Sequence, residues 1–208
     1  MSSQAALFWN PRFAGEQYAY GSAPNDFLKA QAGRLAAGSR VLSLGEGEGR
    51  NAIHLASLGH DVTAVDAAHT GLIKLLQRAA RESLTVTATL ADLADYAIPP
   101  AHWHAIVSIF CHLPPALRRT VLRDCVSGLA PGGLFILEGY TPRQLGFGTG
   151  GPKDVALLLE PDDIRAELDG LELLHFAEVQ REVVEGSLHT GMAAVLQVVA
   201  RKPGPTAA

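Results

Sequence analysis

Short apolar runs alternate with longer segments that are apolar on one face only. The runs are Arg40 to Leu44, Asp61 to Val65, Leu84 to Leu90, Ala105 to Phe110 and Leu134 to Leu137. Between them, Gly49 to Leu58, Thr70 to Glu82 and Pro114 to Leu129 carry helical spacing. Near-continuous apolar strands alternating with helices predict a parallel sheet covered on both faces, because only such strands are buried on both sides. Crossovers in such a sheet are right-handed, which predicts a doubly wound α/β, Rossmann-like fold.

The rhythm changes after residue 160. A helix over Pro161 to Leu168 is followed by two long strand candidates, Leu171 to Val184 and Met192 to Arg201. Only Glu185 to Gly191 joins them, too little for a crossover helix, so a hairpin is expected. Ahead of the first strand, Asn25 can cap a helix through Phe27, Leu28 and Leu35 that ends near Gly38. The expectation is a seven-stranded sheet in the order 3-2-1-4-5-7-6, mostly parallel with its last strand antiparallel. Residues 1–202 would form a single domain, with residues 1–23 as a segment over the active site and 203–208 as a flexible tail.

Composition narrows the function. The net charge of -4 and the absence of a Lys/Arg run give no electrostatic reason to bind nucleic acid or an anionic membrane. Two cysteines, Cys111 and Cys125, make neither a disulfide framework nor a C-x-x-C metal site, and fit a reducing cytoplasm. No secretory signal or long apolar span is visible. Monomer and homodimer are both open.

The candidate chemistry begins at VLSLGEGEGRN, Val41 to Asn51, a strand running into a glycine turn and a helix start. Gly45, Gly47 and Gly49 allow a sharp turn and close ligand approach, and the helix start offers free N–H groups. The spacing is G-x-G-x-G, whereas the dinucleotide fingerprint is G-x-G-x-x-G. Glu46 and Glu48 inside the turn would repel a pyrophosphate but accept a cationic sulfonium with its amino group. Asp66, directly after the second strand, suits ribose hydroxyls or a helix cap. Asp92, after the third, suits an adenine amino group, with the Leu93 N–H reaching a ring nitrogen.

In order, VLSLGEGEGRN, VTAVD, ADL, FCHLPP before a helix, and LAPGGLFILEGYTP resemble the class I S-adenosylmethionine-dependent methyltransferases, over residues 9 to 202. The opening FWNPRF…YAYGSAPNDFL resembles the tellurite-resistance and thiopurine-like members, which act on small, soft or soluble acceptors. The resemblance implies S-adenosylmethionine as cofactor, held by Gly45, Gly47, Asp66, Asp92 and Leu93, with Asn51 and Phe110 completing the site. Ser43 stands where many members carry an acid, and Glu46 is its nearest substitute. The acceptor would be a thiol, a metalloid oxyanion or a related small molecule. A nicotinamide-dependent oxidoreductase and a non-catalytic nucleotide-binding domain are the alternatives. No Tyr-x-x-x-Lys pair accompanies the turn.

On the acceptor side, His112 follows the fourth strand and His189 lies in the expected hairpin turn; both are candidate catalytic residues. In the tellurite-resistance enzymes an arginine follows the corresponding histidine, where this chain has Thr190. His54, His60, His69, His102 and His104 fall on helices or turns, and no metal site is expected. Arg12, Tyr20, Tyr140 and Arg143 are candidates for the substrate pocket. Arg143 and Lys153 belong to the glycine-rich segment Tyr140 to Asp154, which suits a lid.

Overall fold

The computed structural model describes residues 3–186 and 188–204. In chain order its elements are α1 (Gln4–Phe13), α2 (Asp26–Gln31), β1 (Arg40–Leu44), α3 (Arg50–Ser57), β2 (Asp61–Asp66), α4 (His69–Arg81), β3 (Thr87–Leu90) and β4 (Trp103–Ile109). There follow α5 (Pro115–Gly128), β5 (Leu129–Tyr140), α6 (Pro161–Glu167), β6 (Glu172–Glu185) and β7 (His189–Arg201). The seven strands form one sheet in the order β3-β2-β1-β4-β5-β7-β6. All neighbours are parallel except that β7 runs antiparallel to both β5 and β6. The fold class and strand order read from the sequence are therefore those of the molecule.

The central strands are buried on both faces, as their unbroken apolar runs require. One face packs Leu28, Leu55 and Leu75 of α2, α3 and α4 against Val41 and Val107. The other packs Leu122 and Ile164 of α5 and α6 against Ile106 and Phe135. β3, at the edge, is shorter than the apolar run Leu84 to Leu90 because its first residues never pair.

Two elements differ from expectation. α1 turns the opening segment into a helix, N-capped by the Ser3 hydroxyl, which accepts the Ala6 N–H at 3.2 Å. Its apolar residues form no single stripe, and Pro11 lies inside it, so helical spacing did not reveal it. The hairpin is tighter than Glu185 to Gly191: pairing runs on to Glu185 opposite His189, so His189 is the first residue of β7 and is buried. Tail residues 205–208 lie outside the described residues.

Candidate functional site

A single cavity of about 900 Å³ opens at the carboxyl ends of β1, β2 and β4, where open α/β sheets bind ligands. Its floor is the glycine turn. Gly45 and Gly47 have φ of 59° and 62°, a region costly for side-chain-bearing residues. A Cβ on Gly45 would fall 2.6 Å from the Cys111 sulfur, and one on Gly47 would fall 3.0 Å from the Phe13 ring. Bare backbone is thus what the cavity presents here.

The acids of the turn serve the protein first. Glu46 Oε1 accepts the N–H groups of Asn51 (3.0 Å) and Ala52 (2.9 Å), capping α3, while the Ser43 hydroxyl donates to its other oxygen. Ser43 and Glu46 together therefore fix the loop. Burial raises the Glu46 pKa above the usual carboxylate value. Glu48 accepts the Ala19 N–H at 2.7 Å and pairs with Lys74 at 2.6 Å. The expectation that both carboxylates are free to repel a pyrophosphate is corrected accordingly: one caps a helix and the other is neutralised.

Asp66 is held by backbone N–H groups on both oxygens and still lines the cavity. Its Oδ2 accepts the Gly47 N–H at 2.8 Å and its Oδ1 accepts the Ala68 N–H at 2.7 Å, yet the residue lines the cavity. A carboxylate offers about four acceptor positions, so room for a ligand hydroxyl is left. Burial raises its pKa, opposed by those N–H contacts. Asp92 and Leu93 line the same end, with Asp92 Oδ1 accepting the Ala94 N–H at 3.0 Å. Asn51 lines it as well, its Oδ1 accepting the Asn25 N–H at 3.0 Å.

The other end of the cavity is aromatic. Phe110, just past β4, holds φ at 51° and so carries backbone strain where its ring lines the cavity. Ring centroids lie 5.1 Å apart for Phe8–Trp9, 5.7 Å for Trp9–Phe13 and 6.2 Å for Phe13–Tyr20. The arc continues from Tyr20 to His189 at 4.5 Å and from His189 to Phe110 at 4.9 Å. Arg12 lies over the Phe8 ring at 4.4 Å and reaches the Tyr20 hydroxyl at 3.4 Å. Gly150 to Asp154 of the expected lid line this end, while Gln144 pins the near half of that segment to β7 by accepting the Ala194 N–H at 2.9 Å.

The two histidines part company. His112 has both ring nitrogens engaged, Nδ1 with the Leu157 carbonyl at 2.9 Å and Nε2 with the Tyr140 N–H at 3.3 Å. Nδ1 therefore carries the proton and Nε2 accepts, and burial lowers the pKa to about 4. Both ring nitrogens of His112 are thus engaged within the protein. His189 makes no such bonds: its Nδ1 lies 3.8 Å from Glu185 Oε2, and burial lowers its pKa while Glu185 opposes the shift.

Two further expectations are corrected. Tyr140 is buried behind the cavity wall, its ring stacked 5.7 Å from that of His112. Arg143 is exposed and paired with Glu178 of β6 at 3.3 Å, and it does not line the cavity. Lys153 does line the mouth. His104 accepts the Arg40 N–H at 3.0 Å and is structural. Among the described residues no group of His, Cys, Asp or Glu is arranged to hold a metal ion. No helix there is long and apolar enough to cross a membrane.

Sequence reasoning missed the buried charges beside His189. Glu185 contacts Arg50 at 2.7 Å, Asn25 at 2.9 Å and Arg181 at 3.4 Å, and Arg181 also pairs with Glu138 at 2.8 Å. Asn25 and Glu185 are 160 positions apart, and no local spacing announces such a partner.

The sheet order is the one implied by the sequence's resemblance to the class I S-adenosylmethionine-dependent methyltransferases. Residues 41–133 match the model of a methyltransferase domain. A 2-heptyl-1-hydroxyquinolin-4(1H)-one methyltransferase of Mycobacteroides abscessus is 32% identical over 100 residues, 47% of this chain and 44% of that protein. The chain thus spans under half the length of that relative. TehB from Haemophilus influenzae superposes with a TM-score of 0.72 at 19% identity, over 95% of this chain and 67% of that one. The [4+2]-cyclase SpnF superposes at 0.73 with 17% identity, over 98% and 97%. At such identities the likeness is one of fold, and the cyclase marks that this fold carries more than one chemistry.

Proposed function

We propose that the protein transfers a methyl group from S-adenosylmethionine to a small-molecule acceptor. The observation that carries the reading is one cavity with two unlike ends: a side-chain-free turn flanked by Asp66 and Asp92, and an aromatic arc ending at His189. The bare turn at Gly45 and Gly47 and the carboxylates beside it fit an adenosine with a methionine tail. Asp66 would hold the ribose, Asp92 and the Leu93 N–H the adenine, and the backbone of the turn the tail. When bound, the cofactor supplies an electrophilic methyl group on a sulfonium, so this chain's task is to position the acceptor and exclude water. The methyltransferase-domain match over residues 41–133 supports the reading.

The cavity, at about 900 Å³, lies towards the upper end of the range of about 300–1,000 Å³ that holds a drug-sized ligand. Aromatic walls favour a flat acceptor over a bare thiol or metalloid oxyanion, and the relative that acts on a hydroxyquinolinone supports that preference. Residues 1–202 act as one catalytic unit in this reading, with residues 1–23 covering the acceptor end. Two free thiols, Cys111 and Cys125, favour a reducing cytoplasm.

Thermal melting tests the reading. S-adenosylhomocysteine at 100 times its dissociation constant should stabilise the protein by about 2.7 kcal/mol. A rise with NAD and none with S-adenosylhomocysteine would sink it in favour of a nicotinamide enzyme. Binding without turnover of any acceptor would favour a non-catalytic domain.

A further inference from the structure

We propose that the acceptor is a flat aromatic ring bearing a neutral hydroxyl, and that His189, oriented by Glu185, takes its proton as the methyl group is transferred. The inference rests on the methyl-transfer reading above and adds the acceptor's chemistry, the base, and the residues that set it.

The rings come first. The chain has seven Phe, two Trp and four Tyr among 208 residues. Phe8, Trp9, Phe13, Tyr20 and Phe110 all line this one cavity. Such walls bind a planar ring through area and ring-to-ring contact, each pair being worth about 0.5–1.5 kcal/mol beyond burial. A small anion would gain nothing from them and would lose its hydration.

The imidazole comes second. Of the two histidines lining the cavity, His112 has spent both nitrogens, whereas neither ring nitrogen of His189 makes a hydrogen bond among the described residues. Glu185 stands on the Nδ1 side at 3.8 Å, and its pKa is held down to about 2: burial would raise it, but the contacts with His189, Arg50 and Asn25 outweigh that. An ionised carboxylate beside Nδ1 draws the ring proton there and leaves the Nε2 lone pair available. The separation is longer than a hydrogen bond, as catalytic contacts often are before substrate tightens them.

The anchoring of Glu185 comes third. Asn25 fixes one oxygen at 2.9 Å and Arg50 reaches the other at 2.7 Å. Arg50 is the first residue of α3, directly after the glycine turn. The carboxylate that orients the base is therefore held by the donor end of the cavity, and Arg50 is a positioning residue. Arg50 lines the same cavity, and its Nη1 is buried without a hydrogen-bond partner among the described residues. The titratable groups facing His189 are Arg12 from α1, Tyr20 from the segment after it, Arg50 from α3, His112 past β4, Tyr140 from β5 and Glu185 from β6. Burial with Arg50 and Arg12 keeps the ring neutral, and Glu185 stabilises the cation once it forms.

The step balances. The acceptor's O–H proton moves to Nε2 while its oxygen forms the bond to the methyl carbon. The carbon–sulfur bond breaks with its electron pair returning to sulfur, leaving a neutral thioether. The imidazolium, paired with Glu185, then loses its proton to water.

The test compares 1-naphthol with 1-thionaphthol, whose thiol ionises near neutral pH unaided. His189→Gln should cut transfer to the naphthol by about 100-fold or more and change the thiol reaction little. Equal losses with both acceptors would overturn the proposal, as would turnover of the thiol but not the naphthol by the unaltered protein. In the unaltered protein kcat/KM for naphthol should rise with pH through one ionisation below about 6.5, the ordinary histidine value. Arg50→Met removes a positive charge facing the ring, so this limb should move to higher pH. The His189 ring titration followed by NMR, with no donor or acceptor present, should move the same way. An unmoved titration would refute the role given to Arg50. Calorimetry with S-adenosylhomocysteine on each variant reports folding and the donor site. Loss of that binding in the unaltered protein sinks the methyl-transfer reading itself, whereas binding without naphthol turnover sinks only the acceptor and its base.

Discussion

At the donor end of the cavity the parts lie close together in sequence, whereas at the acceptor end they come from α1, the segment after it, the loop at 150–154 and the β6–β7 hairpin. Gly45, Gly47 and Asp66 belong to one β–α–β unit, within which Asp66 accepts the Gly47 N–H at 2.8 Å. At the acceptor end rings packed at 4.5–6.2 Å hold the parts together. Hydrogen bonds between backbone and carboxylate define a shape that one ligand fits. Packed rings define a surface that admits several, which is how one fold can keep a donor and change its acceptors.

The contrast breaks most visibly at Asp66. Asp66→Ala strands two buried N–H groups and removes the ribose partner, so S-adenosylhomocysteine affinity should fall by about 100-fold or more, each lost bond leaving about 1–3 kcal/mol uncompensated. His102→Ala should leave it unchanged. Similar calorimetric affinities for the two variants would mean the ribose site lies elsewhere.

A smaller effect lies behind the rings. Glu185 has a folded-state pKa of about 2, below its ordinary value, so its stabilising contribution is present above about 4.5 and is lost as pH falls towards 2. Melting temperatures between pH 5 and pH 2 should drop less in Glu185→Gln than in the unaltered protein, by on the order of 2 kcal/mol. Parallel curves would detach Glu185 from the stability of this end. Smaller again, Trp9→Ala should raise the acceptor KM about tenfold, roughly 1.4 kcal/mol, and leave S-adenosylhomocysteine binding unchanged. Arg143→Ala, which removes only an exposed pair with Glu178, should alter neither. A loss of donor affinity in the Trp9 variant would erase the distinction between the two ends.

The same contrast decided what the sequence made legible. The parallel strands announced themselves as apolar runs, and the turn, Asp66 and Asp92 followed at strand ends that could be counted along the chain. The engagement of His112 was not legible, because its two partners are backbone groups at Leu157 and Tyr140 that no side-chain pattern displays. Arg143 looked available only because its partner Glu178 sits on a strand far along the chain. The weak pattern of α1 concealed the helix that carries Phe8 and Trp9, though the aromatic residues themselves suggested a cover for the pocket.

One contact at the cavity mouth bears on how the protein is made. A Cβ on Gly186 would fall 2.6 Å from the Ala19 carbonyl oxygen, so the segment after α1 lies backbone to backbone against the hairpin turn. During synthesis the glycine turn, Asp66 and Asp92 emerge well before the β6–β7 hairpin does. The acceptor end must wait until residue 189 has left the ribosome, because Tyr20 and Gly21 have nothing to close upon before then. The mouth of the cavity therefore closes only once both its earliest and its latest residues have been made.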